Sequence, residues 1–260
     1  MSASDKPLLG LALSSGGVLG YAHVGVLRAL EELHVVPDMY SGASMGALAA
    51  VFSASGNDSF ALESIADMFS TQVAVLLESF VPIGRLTMAW RLRAKLQKMV
   101  PAGTFEQLAK PVCIAATDVQ TGDPVVYDSG DLWGPLSGSF CLPGIFPVVH
   151  FDEHYLLDGG LSLPVPVTEL RKRGASKVLA VFVHDPSQDV TYMPDHNIAR
   201  LLVRTVNLML TNIARPELDM ADLVLRPDLR GCSATDVRSY VERGYEAAME
   251  QRSAIEELIA

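Results

Sequence analysis

Short apolar runs alternating with amphipathic helical stretches predict an α/β chain, with a largely parallel sheet covered on both faces. Three observations carry this reading. Leu8 to Ser14, Pro111 to Thr117 and Lys177 to Val183 are apolar runs of strand length, the form taken by strands buried on both sides. Helical repeats lie between them: in Tyr21 to Leu33, Ala22, Val26, Ala29, Leu30 and Leu33 recur at helical spacing while Glu31 and Glu32 face outward. Glycine-rich turns follow two predicted strands and open helices, at Ser15 to Gly20 and at Gly42 to Gly46. No internal repeat or linker composition interrupts the chain, so residues 1–260 read as one domain.

The bulk numbers narrow the function. A hydrophobic share of 49% against 19% charged residues implies an extensive core and apolar surface to spare for a greasy substrate. A net charge of −10 argues against nucleic acid as a partner. Cys113, Cys141 and Cys232 are scattered and odd in number, without metal-ligand spacing. They read as thiols in a reducing cytoplasm, and neither a metal nor a cofactor is expected. The polar start, Met1 to Pro7, lacks the pattern of a secretory signal. No run of about 18 apolar residues could span a bilayer.

Taken in order, Leu8 to Ser14 is the first strand, and the glycine loop and the helix to Leu33 follow. Pro37 to Ser41 is the second strand and Ala47 to Phe52 an apolar helix, with Gly56 suited to end it. Asp58 or Ser59 caps a further helix through Phe69. Residues 71–100 combine Arg85, Arg91, Arg93, Lys95 and Lys98 with interleaved Leu86, Met88, Trp90, Leu92, Leu96 and Met99. This reads either as a lid or peripheral membrane contact, or as an ordinary surface helix with a solvated basic face. Pro111 to Thr117 is a strand, Asp118 to Pro124 a turn, and Val125 to Tyr127 the return strand of a hairpin. A short helix lies within Asp131 to Phe140, followed by the rigid segment Leu142 to Pro147. Phe151 to Leu157 holds a tight turn between short strands, and Asp158-Gly159-Gly160 follows. Val165 to Arg173 is a helix closed by Gly174, Lys177 to Val183 a strand and Ile198 to Asn212 a helix. Asp222 to Arg226 is the last strand, and Val237 to Ile259 a terminal helix.

The chemistry centres on Gly42-Ala43-Ser44-Met45-Gly46, a G-x-S-x-G pattern in the strand–turn–helix setting of a nucleophile elbow. Gly42 and Gly46 flank the serine because side chains there would collide with neighbouring elements. Ser44 then sits at a helix N-terminus, where the dipole favours developing negative charge. Ser15 to Gly20 fails the dinucleotide fingerprint G-x-G-x-x-G, which needs glycine at Ser15. Its better use is an oxyanion hole formed by the N–H groups of Gly16, Gly17 and Val18. A serine nucleophile needs a base. Of the six histidines, His184 follows the clearest strand, so Ser44–Asp158–His184 is one candidate triad. Asp158 acting directly is the other, since Gly159 and Gly160 let its loop approach another backbone closely. Sequence physics leaves the two open, and His23 reads as structural.

Four ordered blocks resemble the patatin-like phospholipase family. Leu11 to Leu27 is similar to its oxyanion block, Gly42 to Gly46 to its elbow, and Leu142 to Pro147 and Leu157 to Leu161 to its C-terminal catalytic blocks. Arg226-Pro227-Asp228 and Gly244 to Ala248 resemble the bacterial branch. The resemblance implies a three-layer α/β/α fold and a Ser–Asp dyad, Ser44 as nucleophile and Asp158 as base, with no catalytic histidine. It implies a phospholipid or lysophospholipid ester substrate cleaved through an acyl-enzyme without calcium. Two departures stand out. Ser15 and Leu19 replace a glycine and a basic residue of the usual oxyanion block, and Ser162-Leu163 stands where many members have two asparagines. The replacement of the cation opens a second reading, a lipid-binding regulatory protein without turnover. Acyl transfer from the same acyl-enzyme to an alcohol is a third.

Overall fold

The computed structural model describes residues 7–64, 93–94, 96–142, 146–184, 198–233 and 236–260. Eight strands form one sheet: β1 (Leu9–Leu13), β2 (Met39–Ala43), β3 (Val112–Asp118), β4 (Pro124–Tyr127), β5 (Val149–Phe151), β6 (His154–Asp158), β7 (Lys177–Val181) and β8 (Leu223–Leu225). Their order is β5-β6-β3-β2-β1-β7-β8, with β4 also paired to β3. The helices are α1 (Ala22–Glu32), α2 (Met45–Ala54), α3 (Trp133–Ser139), α4 (Val167–Lys172), α5 (Ile198–Leu218), α6 (Val237–Glu250) and α7 (Arg252–Leu258).

Strand alternation sorts the core into two layers. Leu9, Leu11 and Leu13 of β1, with Leu179, Val181 and Val183 in and after β7, join the apolar faces of α1, α2, α3, α6 and α7. On the other face Ala12, Val178, Ala180 and Phe182 pack with Val167 and Leu170 of α4 and Ala214 and Leu218 of α5. The sheet is thus covered on both sides, as the apolar runs predict, in the three-layer α/β/α arrangement that the family resemblance implies. Its centre, β3-β2-β1-β7-β8, is parallel throughout.

The remaining strands run the other way. β4 and β6 are antiparallel to β3, and β5 is antiparallel to β6. The connections account for this: a two-residue turn at Asp152 and Glu153 is far too short for a parallel crossover. Both β2 and β4 pair with Ala115, and both β4 and β6 pair with Ala116 and Thr117. Hence β4 takes one edge of β3, while β2 and β6 follow one another along the other.

Some boundaries differ from the sequence expectation. The second strand runs on to Ala43, so the turn begins at Ser44 itself. The third long helix continues past Asn212 to Leu218, because Ala214 and Leu218 bury against the sheet. The terminal helix breaks at Gln251, and Ile255 and Leu258 of α7 turn back into the core. Gly56 ends α2 at φ +80°, and Asp58 rather than Ser59 caps the next helical segment, accepting the Ala61 N–H at 2.9 Å. Ser59 instead donates through both its N–H and its hydroxyl to Glu31. Of the basic stretch 71–100, only residues 93–94 and 96–100 are described: Leu96 and Val100 are buried in the core, and Arg93 and Lys98 are exposed. The rest lies outside the described residues, as do Pro143 to Ile145. Among the described residues no helix is long and apolar enough to cross a membrane.

Helices α1 and α6 cross at two glycines. A Cβ on Gly25 would overlap the Val241 carbonyl oxygen, and one on Gly244 the Ala22 carbonyl oxygen. Alanine at either position gains about 1 kcal/mol of helix propensity but forces two backbones apart, which costs about 3 kcal/mol. Gly25→Ala and Gly244→Ala should therefore each lower the unfolding free energy by about 2 kcal/mol, measured by urea denaturation, against the propensity trend.

Candidate active site

Ser44 occupies a backbone conformation that L-residues avoid, φ +53° and ψ −125°, between the last residue of β2 and the first of α2. Such a residue costs on the order of 1–3 kcal/mol and persists only where its surroundings over-determine it. Here they do. A Cβ on Gly42 would overlap the Gly46 carbonyl, and one on Gly46 would overlap the Leu13 carbonyl at the end of β1. Strand, turn and helix are therefore in backbone contact, which only glycine permits at those two positions. The Ser44 N–H donates to Ser139 Oγ at 2.9 Å, and Ser139 Oγ donates to the Ala115 carbonyl at 2.6 Å.

Asp158 is the last residue of β6. Ala43 pairs with Ala115 and Asp158 with Ala116, so the two strand ends meet at adjacent positions on β3. The Ser44 hydroxyl donates to Asp158 Oδ2 at 2.6 Å, and the Gly160 N–H donates to Oδ1 at 2.8 Å. The Asp158 backbone is held as well: its N–H donates to the Cys141 carbonyl at 3.1 Å, and its carbonyl accepts from Thr117 Oγ1 at 2.9 Å. Ser162, at the departure from the family pattern, shares a 2.8 Å hydrogen bond with that same Thr117 hydroxyl. Ser44 and Asp158 are each 3% exposed. Burial pushes the Asp158 carboxyl up to about 6, against the opposing hydrogen bonds from Ser44 and Gly160.

The glycine loop folds as a 3-10 turn, Gly17–Tyr21, preceded by Gly16. Gly17 has φ +51°, and nothing lies within 4 Å of where its Cβ would be. The Leu19 N–H is spent on the Gly16 carbonyl at 2.9 Å. The N–H groups of Gly17 and Val18 precede the first intrahelical donor of the turn and are not consumed by it. A Cβ on Gly20 would overlap the Met45 side chain, so the turn lies against the residue that follows Ser44. Leu19 packs its side chain against the main core.

The structure does not assemble the triad Ser44–Asp158–His184. His184 is 7% exposed, beyond the end of β7, and neither ring nitrogen hydrogen-bonds to Ser44 or Asp158. Asp158 instead has one oxygen on the Ser44 hydroxyl and the other on the Gly160 N–H. Burial holds His184 down to about 4, so it is neutral. His23 is buried too, and its Nε2–H donates to the Ser14 carbonyl at 2.8 Å, the structural role its helix position suggests. Sequence reading passed over Ser139. In Ser137-Gly138-Ser139 it looks like one small residue among several, and only the tertiary contact with Ser44 distinguishes it.

Residues 11–171 match the family described as patatin-like phospholipase. An uncharacterised NTE family protein of Mycobacterium tuberculosis (strain H37Rv) is 32% identical over 173 residues, 66% of this chain and 30% of that protein. A second from the same strain is 31% identical over 179 residues, 68% of this chain and 49% of that protein. A protein named lysophospholipase NTE1, from Scheffersomyces stipitis, is 28% identical over 67% of this chain and 12% of its own length. The chain thus spans less than half of each of these relatives. Among solved structures, VipD from Legionella pneumophila superposes with a TM-score of 0.56 at 16% identity, over 95% of this chain and 67% of that one. ExoU, in its complex with SpcU from Pseudomonas aeruginosa, superposes at 0.54 and 18% identity, over 98% and 52%. At these identities the likeness is one of fold.

The raised carboxyl of Asp158 has a consequence for stability. The native state binds this proton more tightly than the unfolded chain does, at about 6 against an ordinary 3.8. The stabilisation is complete below pH 4 and is lost as pH rises through 6, a difference of roughly 2–3 kcal/mol. Asp158→Asn keeps the shape and removes the buried charge. It should melt above the wild type at pH 8, with the gap closing by pH 4, measured by calorimetry across that range.

Proposed function

The chain belongs to the patatin-like phospholipase family, and on that premise we propose that it is a serine acyl hydrolase of lipid carboxylic esters, working through a Ser44–Asp158 dyad. The observation that carries this reading is the 2.6 Å hydrogen bond from Ser44 Oγ to Asp158 Oδ2 inside a buried site. A carboxylate held up to about 6 is a better proton acceptor than a solvated one, yet remains ionised at neutral pH.

The proposed reaction proceeds in two halves. As Ser44 Oγ attacks the ester carbonyl, its proton passes to Asp158 Oδ2, and the carbonyl oxygen becomes an oxyanion. The N–H groups of Gly17 and Val18, with Gly16 beside them, stabilise that charge. The Ser44 N–H is engaged by Ser139, so the glycine loop supplies the donors. When the tetrahedral species collapses, the ester C–O bond breaks and the departing alkoxide takes the proton from Asp158. Water then attacks the acyl-Ser44 ester, giving its proton to Asp158. Collapse returns that proton to Ser44 Oγ and releases the fatty acid. Leu142 and Leu161, close in sequence to Cys141 and Asp158, are exposed, and such apolar surface suits the acyl chains of a phospholipid or lysophospholipid. Leu19 is engaged in core packing, so the loop backbone is held without the cation usual in the family, which favours turnover over a purely binding role.

A fluorophosphonate probe should label wild-type protein at one site, and Ser44→Ala should abolish both labelling and ester hydrolysis. Asp158→Asn should lower kcat about 10³-fold, while His184→Gln should retain activity within tenfold. In a pH series, kcat/KM should rise through about 6 and then level, since the base works only when ionised. Labelling that survives Ser44→Ala, or loss of activity confined to His184→Gln, would contradict the reading.

A further inference from the structure

The strained elbow and the aspartate loop are separate in sequence, yet both are tied to the C-terminal end of α3. Ser139, the last residue of α3, is fully buried. Its hydroxyl accepts the Ser44 N–H at 2.9 Å and donates to the Ala115 carbonyl at 2.6 Å. Two residues on, the Cys141 carbonyl accepts the Asp158 N–H at 3.1 Å. Ala115 is the β3 partner of Ala43, immediately before Ser44. A Cβ on Gly159 would overlap the same Ala115 carbonyl. One short segment therefore hydrogen-bonds to the main chain of both residues and is itself tied to β3 through the Ala115 carbonyl.

We infer that Ser139 is a positioning residue for the dyad, holding the Ser44 backbone at the strained angle that aims its hydroxyl at Asp158. The inference rests on the dyad proposed above. A hydroxyl is suited to this place because it accepts and donates at once, which an aliphatic side chain cannot do. Without it the Ser44 N–H is left buried and unpaired, and the turn has reason to relax toward an ordinary φ. Such a relaxation would move Oγ, and a displacement on the order of 1 Å can cost about 100-fold in rate.

The test compares wild type, Ser44→Ala, Ser139→Ala, Ser139→Thr and Ser137→Ala, using a soluble p-nitrophenyl acyl ester and a fluorophosphonate. Ser137 is on the same helix, but its hydroxyl donates to the Trp133 carbonyl and touches neither member of the dyad. Counted per titrated Ser44, kcat of Ser139→Ala should fall about 10- to 100-fold with KM within twofold. Its fluorophosphonate should react more slowly but to the same final stoichiometry. Ser139→Thr, which keeps the hydroxyl, should recover most of the rate. Counting per titrated site separates this from a smaller folded fraction, which would lower stoichiometry and leave kcat unchanged. If Ser139→Ala does not fold, Ser139→Cys, close in size but a weak acceptor, is read in the same way. A kcat for Ser139→Ala equal to that of wild type, or reduced no more than in Ser137→Ala, overturns the inference while the dyad stands. Absence of labelling in wild type, or labelling retained in Ser44→Ala, overturns the dyad and the inference with it.

Discussion

Ser44 and Asp158 meet because β2 and β6 end on adjacent residues of one strand. β3 pairs Ala115 with Ala43 and Ala116 with Asp158, and β4 takes its opposite edge. The side-chain hydrogen bond between residues 114 positions apart follows from that register. A slip by one residue would turn every side chain of a strand to the other face. Leu156 of β6, buried beneath Gly138, resists the slip from one side, and Ile114 in the main core resists it from the other. Much of the packing around β3 can be understood as fixing this one junction.

The site is costly to build. It holds a non-glycine residue at positive φ and a carboxylate out of water, and it brings three backbones into contact around Gly42 and Gly46. Each costs on the order of a few kcal/mol. The two buried layers on either side of the sheet offset these terms, and the parallel strands at its centre are among the most completely buried parts of the chain. Around the Ser44–Asp158 pair, Thr117, Ser139, Ser162 and Gly160 each bond to Ser44, to Asp158 or to a group that does.

Legibility in the sequence followed the range of the interaction. The elbow was readable because its constraint is local: the glycines flanking Ser44 are two residues away, and the strand and helix on either side carry their own hydrophobic patterns. The glycine loop was readable for the same reason. Asp158 was visible as a candidate through Gly159 and Gly160, but its choice over His184 came from resemblance rather than spacing. Ser139 left no trace, because a buried serine serving a distant amide looks the same as any small residue in a short helix. The tight turn joining β5 and β6 was readable within Phe151 to Leu157, but the antiparallel pairing of β6 with β3, which places Asp158 opposite Ala116, was not.

The sequence alone determined the layered α/β class, the strand-to-helix turns and the candidate nucleophile, because periodicity and glycine spacing act within a few residues. Only the tertiary structure showed which carboxylate lies against the Ser44 hydroxyl, which N–H groups of the glycine loop its own turn leaves unused, and what the Ser44 N–H bonds to. Those depend on the register of β2 and β6 along β3, and on a helix end that touches both. Register is set by contacts spread over the whole sheet, which no short stretch of sequence contains.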